Sequence, residues 1–343
     1  MTEPVKCLVW DLDDTLWQGV VLEGDEAVPF PPAVTTLREL DRRGILHAVA
    51  SRGDHATAVE HLKRLGLHDL FIAVEIGWGA KSASVRRVAG LLNLGLDSFA
   101  FIDNDPVERA EVLAALPGVR AYAAEEAGSL LDRAEFQPVT RTAESAQRRQ
   151  LYQVEAGRRA AEQAHDGTAP EFLASLDLTM AIRRATPVDL ARAHELTVRT
   201  HQLNTTGRTY AEDELLRLST SDRHEVLVAE LTDRFGPYGI IGLALTERDA
   251  TATTIKLLLT SCRVASRGAG TALIEQVVRR SLAAGLRPMA EFVPTEVNRI
   301  MLVTLRFTGF EVEHDTGDGL LLAHRGEPVS RSGHIRVRAE ALH

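Results

Sequence analysis

Two aspartates near the start of the chain are the residues best suited to chemistry. Asp11 and Asp13 follow a short apolar run, residues 5–10, and Thr15 comes two positions later. A carboxylate can act as a nucleophile and divide one difficult reaction into two easier steps. A bound Mg²⁺ neutralises the charge that two acids and a phosphate would otherwise set against each other. The segment therefore suits nucleophilic chemistry assisted by a metal ion, although a short acidic turn can also be only a helix cap or a solvated loop.

Three more polar residues, Ser51, Lys81 and Asp103, come after predicted strands. Lys81 opens a helical pattern, a place that the helix dipole disfavours for a cation, so a reason other than helix stability is needed. Asp103 directly follows an apolar strand and would give a metal ion its second carboxylate. The predicted strands that precede these three residues are 45–50, 71–74 and 98–102.

A parallel sheet would bring these residues together, because ligands of α/β sheets bind beyond the carboxyl ends of the strands. Strands alternate with helical patterns through the first domain, so the predicted fold class is α/β. Only 39 residues separate Asp11 from Ser51, and 21 separate Lys81 from Asp103. Neither interval has room for a folded cap domain, so we expect an open site, which the turn-rich segment 18–32 could cover in part.

Size and charge limit the classes of function. The 343 residues are enough for two domains, and 45% hydrophobic with 25% charged residues is ordinary for a globular protein. A net charge of −9 argues against nucleic acid as the main ligand. The sequence shows no membrane span and no signal peptide, and two cysteines make no disulfide framework. We therefore expect a cytoplasmic protein that binds neither membrane nor nucleic acid.

The first domain resembles the haloacid-dehalogenase (HAD) phosphohydrolases, whose four motifs match in order at Asp11, Ser51, Lys81 and Asp103. The resemblance implies that Asp11 attacks phosphorus, while Asp13 protonates the leaving alcohol and later activates water. It also implies that Ser51 and Lys81 bind the phosphate. Mg²⁺ would be the cofactor, held by Asp11, Asp13 and Asp103.

The fourth motif departs from the family pattern, which often has two adjacent acids. Asn104 stands where the second acid would be, and Asp105 or Glu108 must then serve as the outer acid. Both remain candidates.

The second half of the chain contains a glycine-rich turn that feeds a helix. Residues Arg267, Gly268 and Gly270 form this turn, and a helix N-terminus is a ready site for an anion. The segment 178–326 resembles the GNAT N-acetyltransferases, which implies that these three residues bind pantetheine or an acyl group. Asn298 also fits that family. Leu305 stands where these enzymes commonly have a tyrosine acid, which speaks against routine acetyl transfer from coenzyme A.

Two cysteines and one histidine are candidates for acyl transfer. Cys262 follows a predicted strand beside Arg263 and near a helix N-terminus, an environment that favours a thiolate. Cys7 lies in mid-strand, about 13 Å from the phosphate centre at about 3.3 Å per residue, so Cys262 ranks above it as a nucleophile. His201 is a candidate base. A buried cysteine and a hydrogen-bonded histidine are the simpler interpretations.

Together the domains resemble the FkbH-like family over nearly the whole chain, most closely at 6–17, 78–82, 93–99 and 202–206. The predicted domains are 1–138 (HAD-like phosphatase), 139–177 (helical linker), 178–326 (GNAT-like) and 327–343 (C-terminal tail). The resemblance implies a glyceryl transferase and phosphatase of polyketide pathways, with Cys262 or Cys7 as the acyl carrier within the enzyme. It would take the 3-phosphoglyceryl group of 1,3-bisphosphoglycerate, remove its phosphate and load glyceryl on the phosphopantetheine of an acyl carrier protein.

Two other functions remain open at this stage. One is a plain Mg²⁺-dependent phosphatase whose second domain only positions a partner. The other is a scaffold without enzymatic activity that binds a carrier protein.

Overall fold

In the computed structural model, two units each have their own sheet, Met1–Gln153 and Val154–His343. The structure describes residues 4–137, 142, 147–326 and 332–339. The elements of the first unit are β1 (Cys7–Trp10), β2 (Trp17–Gln18), β3 (Val28–Pro29), α1 (Pro31–Arg42), β4 (Leu46–Ser51), α2 (His55–Arg64), β5 (Phe71–Ile76), α3 (Lys81–Leu92), β6 (Phe99–Asp103), α4 (Pro106–Ala115) and β7 (Arg120–Ala123).

The sheet of the first unit has five parallel strands in the order β5-β4-β1-β6-β7. The last residue of β1, Trp10, is in register with Val49 of β4 and Ile102 of β6. The strands therefore end at one common edge. Asp11, Ser51 and Asp103 all lie at that edge.

Helices cover both faces of this sheet, so the central strand is apolar on both sides. Leu8 and Trp10 pack in one core with side chains of α1 and α2. Cys7 and Val9 point to the other face and pack with side chains of α3 and α4. Alternate residues of a strand point to opposite faces, which explains why all four residues of β1 are buried.

The segment after β1 forms a small hairpin instead of a cap domain. Strands β2 and β3 pair antiparallel through Trp17 and Pro29. The Trp17 ring is buried and meets the edge of His61, with ring centroids 4.7 Å apart. Proline at the first position of α1 then starts the next helix. Over residues 4–137, no folded domain is inserted between the strands, as the spacing predicts.

The second unit shares α5 (Arg148–Gln163) with the first, because the division falls within that helix. Its other elements are α6 (Ala169–Ser175), β8 (Thr179–Arg184), α7 (Leu190–Arg199), α8 (Glu212–Ser219), β9 (His224–Asp233), β10 (Gly236–Arg248), β11 (Ala252–Thr260), α9 (Ala269–Ala283), β12 (Arg287–Phe292), α10 (Arg299–Phe307), β13 (Phe310–Asp315), β14 (Leu320–His324) and β15 (Arg336–Ala339).

Eight strands form the sheet of the second unit, in the order β13-β14-β12-β11-β10-β9-β8-β15. Only β11 with β12 and β8 with β15 are parallel among these pairs. The β11–β12 pairing covers Ala252 to Ile255, and the strands diverge beyond it. Thr205 lies between the diverging strands, because its N–H donates to Leu258 O and its C=O accepts from Val293 N, each at 3.0 Å.

The predicted domain limits can be compared with the structure only in part, since the boundary at 138/139 lies outside the described residues. Phe172 and Leu176, at the end of the predicted linker, belong to the core of the second unit. Residues 336–339 of the predicted tail form an edge strand, whereas 327–331 and 340–343 lie outside the described residues. No helix in the described part of the chain is long and apolar enough to cross a bilayer.

Candidate active site

Asp11 extends the central strand by one residue and stays buried, with 4% of its surface exposed. Its N–H donates to Ile102 O at 3.0 Å, so the backbone is held against β6. Its Oδ2 accepts a hydrogen bond from the Thr15 hydroxyl at 3.1 Å. Thr15 Oγ1 in turn accepts from the Asn104 N–H at 3.0 Å, which links the loops after β1 and β6. The nucleophile predicted from the sequence is therefore fixed in position.

Lys81 joins the two buried carboxylates of this edge. Its Nζ lies 2.8 Å from Asp11 Oδ1 and 2.5 Å from Asp103 Oδ2. Ser82 anchors the start of α3, because its N–H donates at 3.1 Å to Glu111 of α4. Burial alone would favour the neutral amine, but the charges of Asp11 and Asp103 outweigh it and raise the pKa of Lys81. The cation therefore stays charged beside the acids.

One lysine does not fully compensate two buried acids. Burial and the negative charge of Asp11 raise the pKa of Asp103 to about 6, although Lys81 acts in the opposite direction. Asp103 Oδ1 also accepts from the Asp105 N–H at 2.8 Å. The excess negative charge makes this edge of the sheet attractive for a cation.

The Asp13 carboxylate is held by hydrogen bonds of its own. Its Oδ1 accepts from Trp17 Nε1 at 2.7 Å and from the Val21 N–H at 3.3 Å. Burial raises the pKa of Asp13 despite these hydrogen bonds, and the charge of Asp11 adds to the effect. A raised pKa is the direction that a proton donor needs.

The metal site with three carboxylate side chains, predicted at Asp11, Asp13 and Asp103, stays a prediction. Within the described residues, no group of three His, Cys, Asp or Glu side chains is arranged to hold a metal ion. Trp17 and Val21 donate hydrogen bonds to the Asp13 carboxylate. The remaining donor set still fits Mg²⁺, which takes one or two carboxylates, keeps several waters and binds substrate phosphate. Asp11 and Asp103 are the two residues that would hold it.

Ser51 and the two candidate outer acids lie around the same edge. Ser51 is buried at the end of β4, and its C=O accepts from Gly77 N at 3.2 Å. Asp105 caps α4 by accepting from the Val107 N–H at 2.8 Å. Glu108 pairs with Arg52 at 2.7 Å. The phosphate-binding role of Ser51 and the choice between the two acids stay predictions.

Arg52 and Asn104 are residues of this edge that the sequence analysis did not assign to the site. The Arg52 side chain is 52% exposed and carries a positive charge next to Ser51. Its place directly after a strand-end serine was a signal available in the sequence. Asn104 Oδ1 is 3.3 Å from Thr15 Oγ1, so the residue that interrupts the acidic pair supports the loop that holds Asp11.

The predicted anion loop of the second unit has the expected backbone. Gly268 has a φ of 76°, and α9 begins directly after it. Only glycine adopts this conformation without strain. A Cβ at Gly268 would also come within 3.1 Å of the His334 ring, which contacts this side of the turn. The N–H groups of the first turn of α9 remain the candidate anion donors there.

The Arg267 side chain is committed to a buried ion-pair network. It is 1% exposed, and its guanidinium lies 3.2 Å from Glu155 and 3.1 Å from Glu162. Both acids belong to α5, more than a hundred residues earlier in the chain. The Arg267 guanidinium is thus occupied by these two acids. The predicted binding of pantetheine or an acyl group at this turn would then depend on Gly268 and Gly270 alone.

Cys262 and Cys7 differ in accessibility. Cys262 is partly exposed and starts a short 3₁₀ helix, Cys262–Arg267, directly after β11. Cys7 is fully buried in β1, and burial raises the pKa of its thiol far above the ordinary value. This places Cys262 ahead of Cys7 as a nucleophile.

The segment that carries His201 runs beside the end of β11. Thr260 N donates to Leu203 O at 3.1 Å, and Asn204 bridges Leu259 in antiparallel register. His201 is partly buried two residues before this pairing. The segments of the candidate base and the candidate nucleophile therefore meet at one end of the strand.

Asn298 and Leu305 are buried in the second unit. The Asn298 amide donates to Asn204 O at 3.0 Å and to Val293 O at 2.9 Å, and thus links two loops. Leu305 is fully buried on α10. Asn298 has a structural role in these contacts, and Leu305 supplies no proton.

No protein-family model and no curated protein matches this chain. The N-terminal part of protein BF1531 from Bacteroides fragilis, containing a phosphatase domain complexed with Mg, is 30% identical, with 38% of this chain and 39% of that chain covered and a TM-score of 0.34. The ribosomal-protein-S18-alanine N-acetyltransferase from Escherichia coli is 16% identical, with 44% of this chain and 99% of that chain covered and a TM-score of 0.34.

The PaiA N-acetyltransferase from Thermoplasma acidophilum, in complex with coenzyme A, is 14% identical. Here 43% of this chain and 99% of that chain are covered, and the TM-score is 0.34.

The two strand orders confirm the predicted fold class. The chain is an α/β protein with one unit built on a five-stranded parallel sheet and a second unit built on an eight-stranded mixed sheet.

Proposed function

We propose that this chain is an FkbH-like glyceryl transferase and phosphatase that uses Mg²⁺. The observation that carries the phosphatase half is the contact of Lys81 with both Asp11 and Asp103 at the strand ends. A carboxylate nucleophile, a cation and a second acid in one buried cluster are the parts needed to bind and attack a phosphate ester.

The residues of the first unit would act in sequence on a phosphate monoester. A carboxylate oxygen of Asp11 forms a bond to phosphorus while the bond from phosphorus to the ester oxygen breaks. Asp13 gives its proton to the leaving alcohol and later takes one from the water that hydrolyses the phospho-aspartate. Lys81 balances the negative charge of phosphate and nucleophile throughout. A Mg²⁺ ion held by Asp11 and Asp103 would supply additional positive charge at the phosphate oxygens.

The transferase half would use Cys262 and an acyl phosphate. The thiolate sulfur forms a bond to the carbonyl carbon of 1,3-bisphosphoglycerate, while the bond from that carbon to the phosphate oxygen breaks and inorganic phosphate leaves. The resulting thioester can pass to the thiol of a phosphopantetheinylated acyl carrier protein, because one thioester replaces another. The partial exposure of Cys262 supports this assignment over the buried Cys7.

Intact-protein mass spectrometry of a carrier protein tests the proposal. The purified chain, Mg²⁺, 1,3-bisphosphoglycerate and a phosphopantetheinylated carrier protein are incubated together. We expect a carrier that gains a glyceryl group, and no gain of mass would contradict the proposal. With Asp11→Asn, the acyl group on protein should keep its phosphate, because only hydrolysis of the monoester is lost. With Cys262→Ala, loading should stop; continued loading would remove this residue from the acyl transfer.

A plain Mg²⁺-dependent phosphatase is the alternative, and three observations of the second unit favour it. Arg267 is buried in ion pairs, Thr205 lies between the diverging strands, and Leu305 cannot act as an acid. This alternative predicts release of phosphate from small esters with no acyl adduct on any protein. The same mass measurement separates the two functions.

A further inference from the structure

A cavity of about 260 Å³ opens at one end of the sheet in the second unit. It lies where β8 ends, β9 begins and β10 ends, the opposite end of the strands from Thr260 and Cys262. Its volume is somewhat below the roughly 300–1,000 Å³ of sites for drug-sized ligands. Neither the glycine-rich turn nor either cysteine lines it, so the proposed function makes no use of it.

Three arginines line the cavity: Arg184, Arg223 and Arg248. Arg184 pairs with Glu225 at 2.7 Å, and Arg223 pairs with Glu247 at 2.8 Å. Both side chains remain more than half exposed, so these surface pairs are weak and can be exchanged for a ligand. A planar guanidinium binds phosphate through two parallel N–H bonds, which a lysine cannot do.

Arg248 is the cation of the cavity that has no competing acid. It is exposed, and its side chain forms no hydrogen bond or ion pair within the described part of the chain. Its backbone is fixed, because its N–H donates to Arg223 O at 2.7 Å. Two of the three arginines are thereby held side by side.

A smaller cavity continues from the first and shares Glu225, Thr246 and Arg248 with it. Thr253 and Arg280 line it, and both have a buried polar atom without a partner among the described residues, Oγ1 and Nε. At about 10 Å³, this space is close to the minimum that holds one water molecule. Buried polar atoms are rarely left unsatisfied, so these two atoms point to a polar occupant of the cavity.

Negative groups at the cavity limit the ligands that fit. Asp222 lines the opening, and Glu225 is shared between Arg184 and Arg280, at 2.7 and 2.9 Å. The C-terminal end of α8 adds about half a negative charge. Glu247, the partner of Arg223, adds a third acid, and the four guanidinium groups still slightly exceed these charges. Asp222 can accept a hydrogen bond from a hydroxyl group, which a ligand with both a phosphate and a hydroxyl would supply.

We propose that this cavity binds a small phosphate monoester that carries a hydroxyl group, with Arg248, Arg223 and Arg184 on the phosphate. The site belongs to the second unit and is separate from the carboxylate cluster at Asp11. It would let the chain sense or retain a phosphorylated compound independently of hydrolysis.

Isothermal titration calorimetry of the full chain with glycerol 3-phosphate tests this site. The titration is done in EDTA, because the metal-free acids of the first unit then repel phosphate and no hydrolysis occurs. We expect one equivalent to bind, and we expect Arg248→Gln to weaken binding about tenfold, the loss of a charge-assisted hydrogen bond. Arg325→Gln, another exposed arginine of the same unit, should bind as the unchanged chain does.

Three results would overturn the proposal. The first is no binding at up to about 10 mM, ten times a Kd of 1 mM. The second is equal affinity in Arg248→Gln and the unchanged chain, or equal weakening in Arg325→Gln. The third is loss of binding in Asp11→Asn, which would place the ligand at the carboxylate cluster. Inorganic phosphate, titrated in parallel, should bind more weakly than glycerol 3-phosphate, because it has no alcohol hydroxyl for Asp222. Equal affinity of the two ligands would remove Asp222 from the site.

Discussion

Both units bury charged side chains, but they compensate the charges differently. In the first unit, Lys81 is the cation that pairs with Asp11 and Asp103 among the described residues. In the second unit, Arg158 is 1% exposed and makes a two-point contact with Asp233, at 2.8 and 3.0 Å.

The pKa values of the acids show the consequence of this difference. Burial raises the pKa of Asp103 to about 6, since the charge of Asp11 adds to the effect and Lys81 does not cancel it. Burial acts in the same direction on Asp233, but the hydrogen bonds from Arg158 and Tyr238 outweigh it and lower its pKa. Removing one partner of a matched buried pair destabilises the fold, whereas an excess of buried acid is a site that a cation and a substrate can complete.

Asp11→Asn should abolish the phosphatase activity of the first unit without destabilising its fold. We expect the turnover of p-nitrophenyl phosphate with Mg²⁺ to fall by about a thousandfold or more, because the nucleophile is lost. The free energy of unfolding should not fall, since one of two mutually repelling acids becomes neutral. Asp69→Asn, at an exposed position, is the control and should keep full activity. An active Asp11→Asn enzyme would contradict the assignment of the nucleophile.

Arg158→Met should have the opposite effect to Asp11→Asn: it should lower stability and leave the phosphatase activity. Removing one partner leaves Asp233 buried and unpaired, so we expect a loss of about 3–5 kcal/mol in the free energy of unfolding of the second unit. Phosphatase activity should persist where the protein is folded. Urea unfolding followed by circular dichroism measures the change. Arg217→Gln removes an exposed pair with Asp213 and should cost less than about 1 kcal/mol. Similar losses in the two variants would contradict the structural role of the buried pair.

Removal of Mg²⁺ should lower the thermal stability of the first unit. A ligand that binds only the folded state at 100 times its Kd stabilises it by about 2.7 kcal/mol. We therefore expect Mg²⁺ to raise the Tm of the first unit, and EDTA to reverse the rise and abolish phosphatase activity. Asp103→Asn should remove the Mg²⁺ dependence of the Tm. A Tm that responds equally in Asp103→Asn would place the metal elsewhere.

Acid should destabilise the first unit before the second. Burial lowers the pKa of His47 to about 3, so the unfolded chain takes up a proton below about pH 6.5 that the folded unit does not. The contribution of His47 to stability should fall by about 1.4 kcal/mol for each pH unit between these values. The raised pKa of Asp103 opposes this fall between about pH 6 and pH 4, because the folded unit takes up a proton there. In the second unit, the hydrogen bond from Arg183 lowers the pKa of Asp189 to about 2, and its contribution is lost only below about pH 4.

Tryptophan fluorescence can follow this acid effect selectively, because all three tryptophans, Trp10, Trp17 and Trp78, belong to the first unit. The measurement is urea unfolding at pH 7 and at pH 5. His47→Gln, which keeps an acceptor for the Trp10 N–H, should remove the contribution of His47, so less stability should be lost between pH 7 and pH 5 than in the unchanged chain. An unchanged slope in that variant would assign the effect to another group.

Much of the first unit could be predicted from local sequence. An apolar run followed by Asp11, and another followed by Asp103, identify strands whose ends meet in a parallel sheet. The direction of the Asp13 carboxylate could not be predicted, because it depends on Trp17 and Val21 in a hairpin whose geometry is not encoded by a periodic pattern. The expected set of three metal-binding carboxylates, Asp11, Asp13 and Asp103, stays a prediction.

The second unit shows more clearly what cannot be predicted from local sequence. The sequence indicated the turn at Gly268 and the helix after it, because glycine and helix-start signals are local. It did not indicate that Arg267 contacts Glu155, 112 residues earlier, or that residues 336–339 pair with β8.

The sequence by itself therefore determined which residues stand at strand and helix ends, since hydrophobic periodicity and turn residues act over a few positions. Only the tertiary structure decided which of those residues meet. Lys81 contacts Asp11 and Asp103, while Arg267 is buried in an ion pair with Glu155. Such contacts depend on strand register and on the packing of distant helices, and both are set by the free energy of the whole fold.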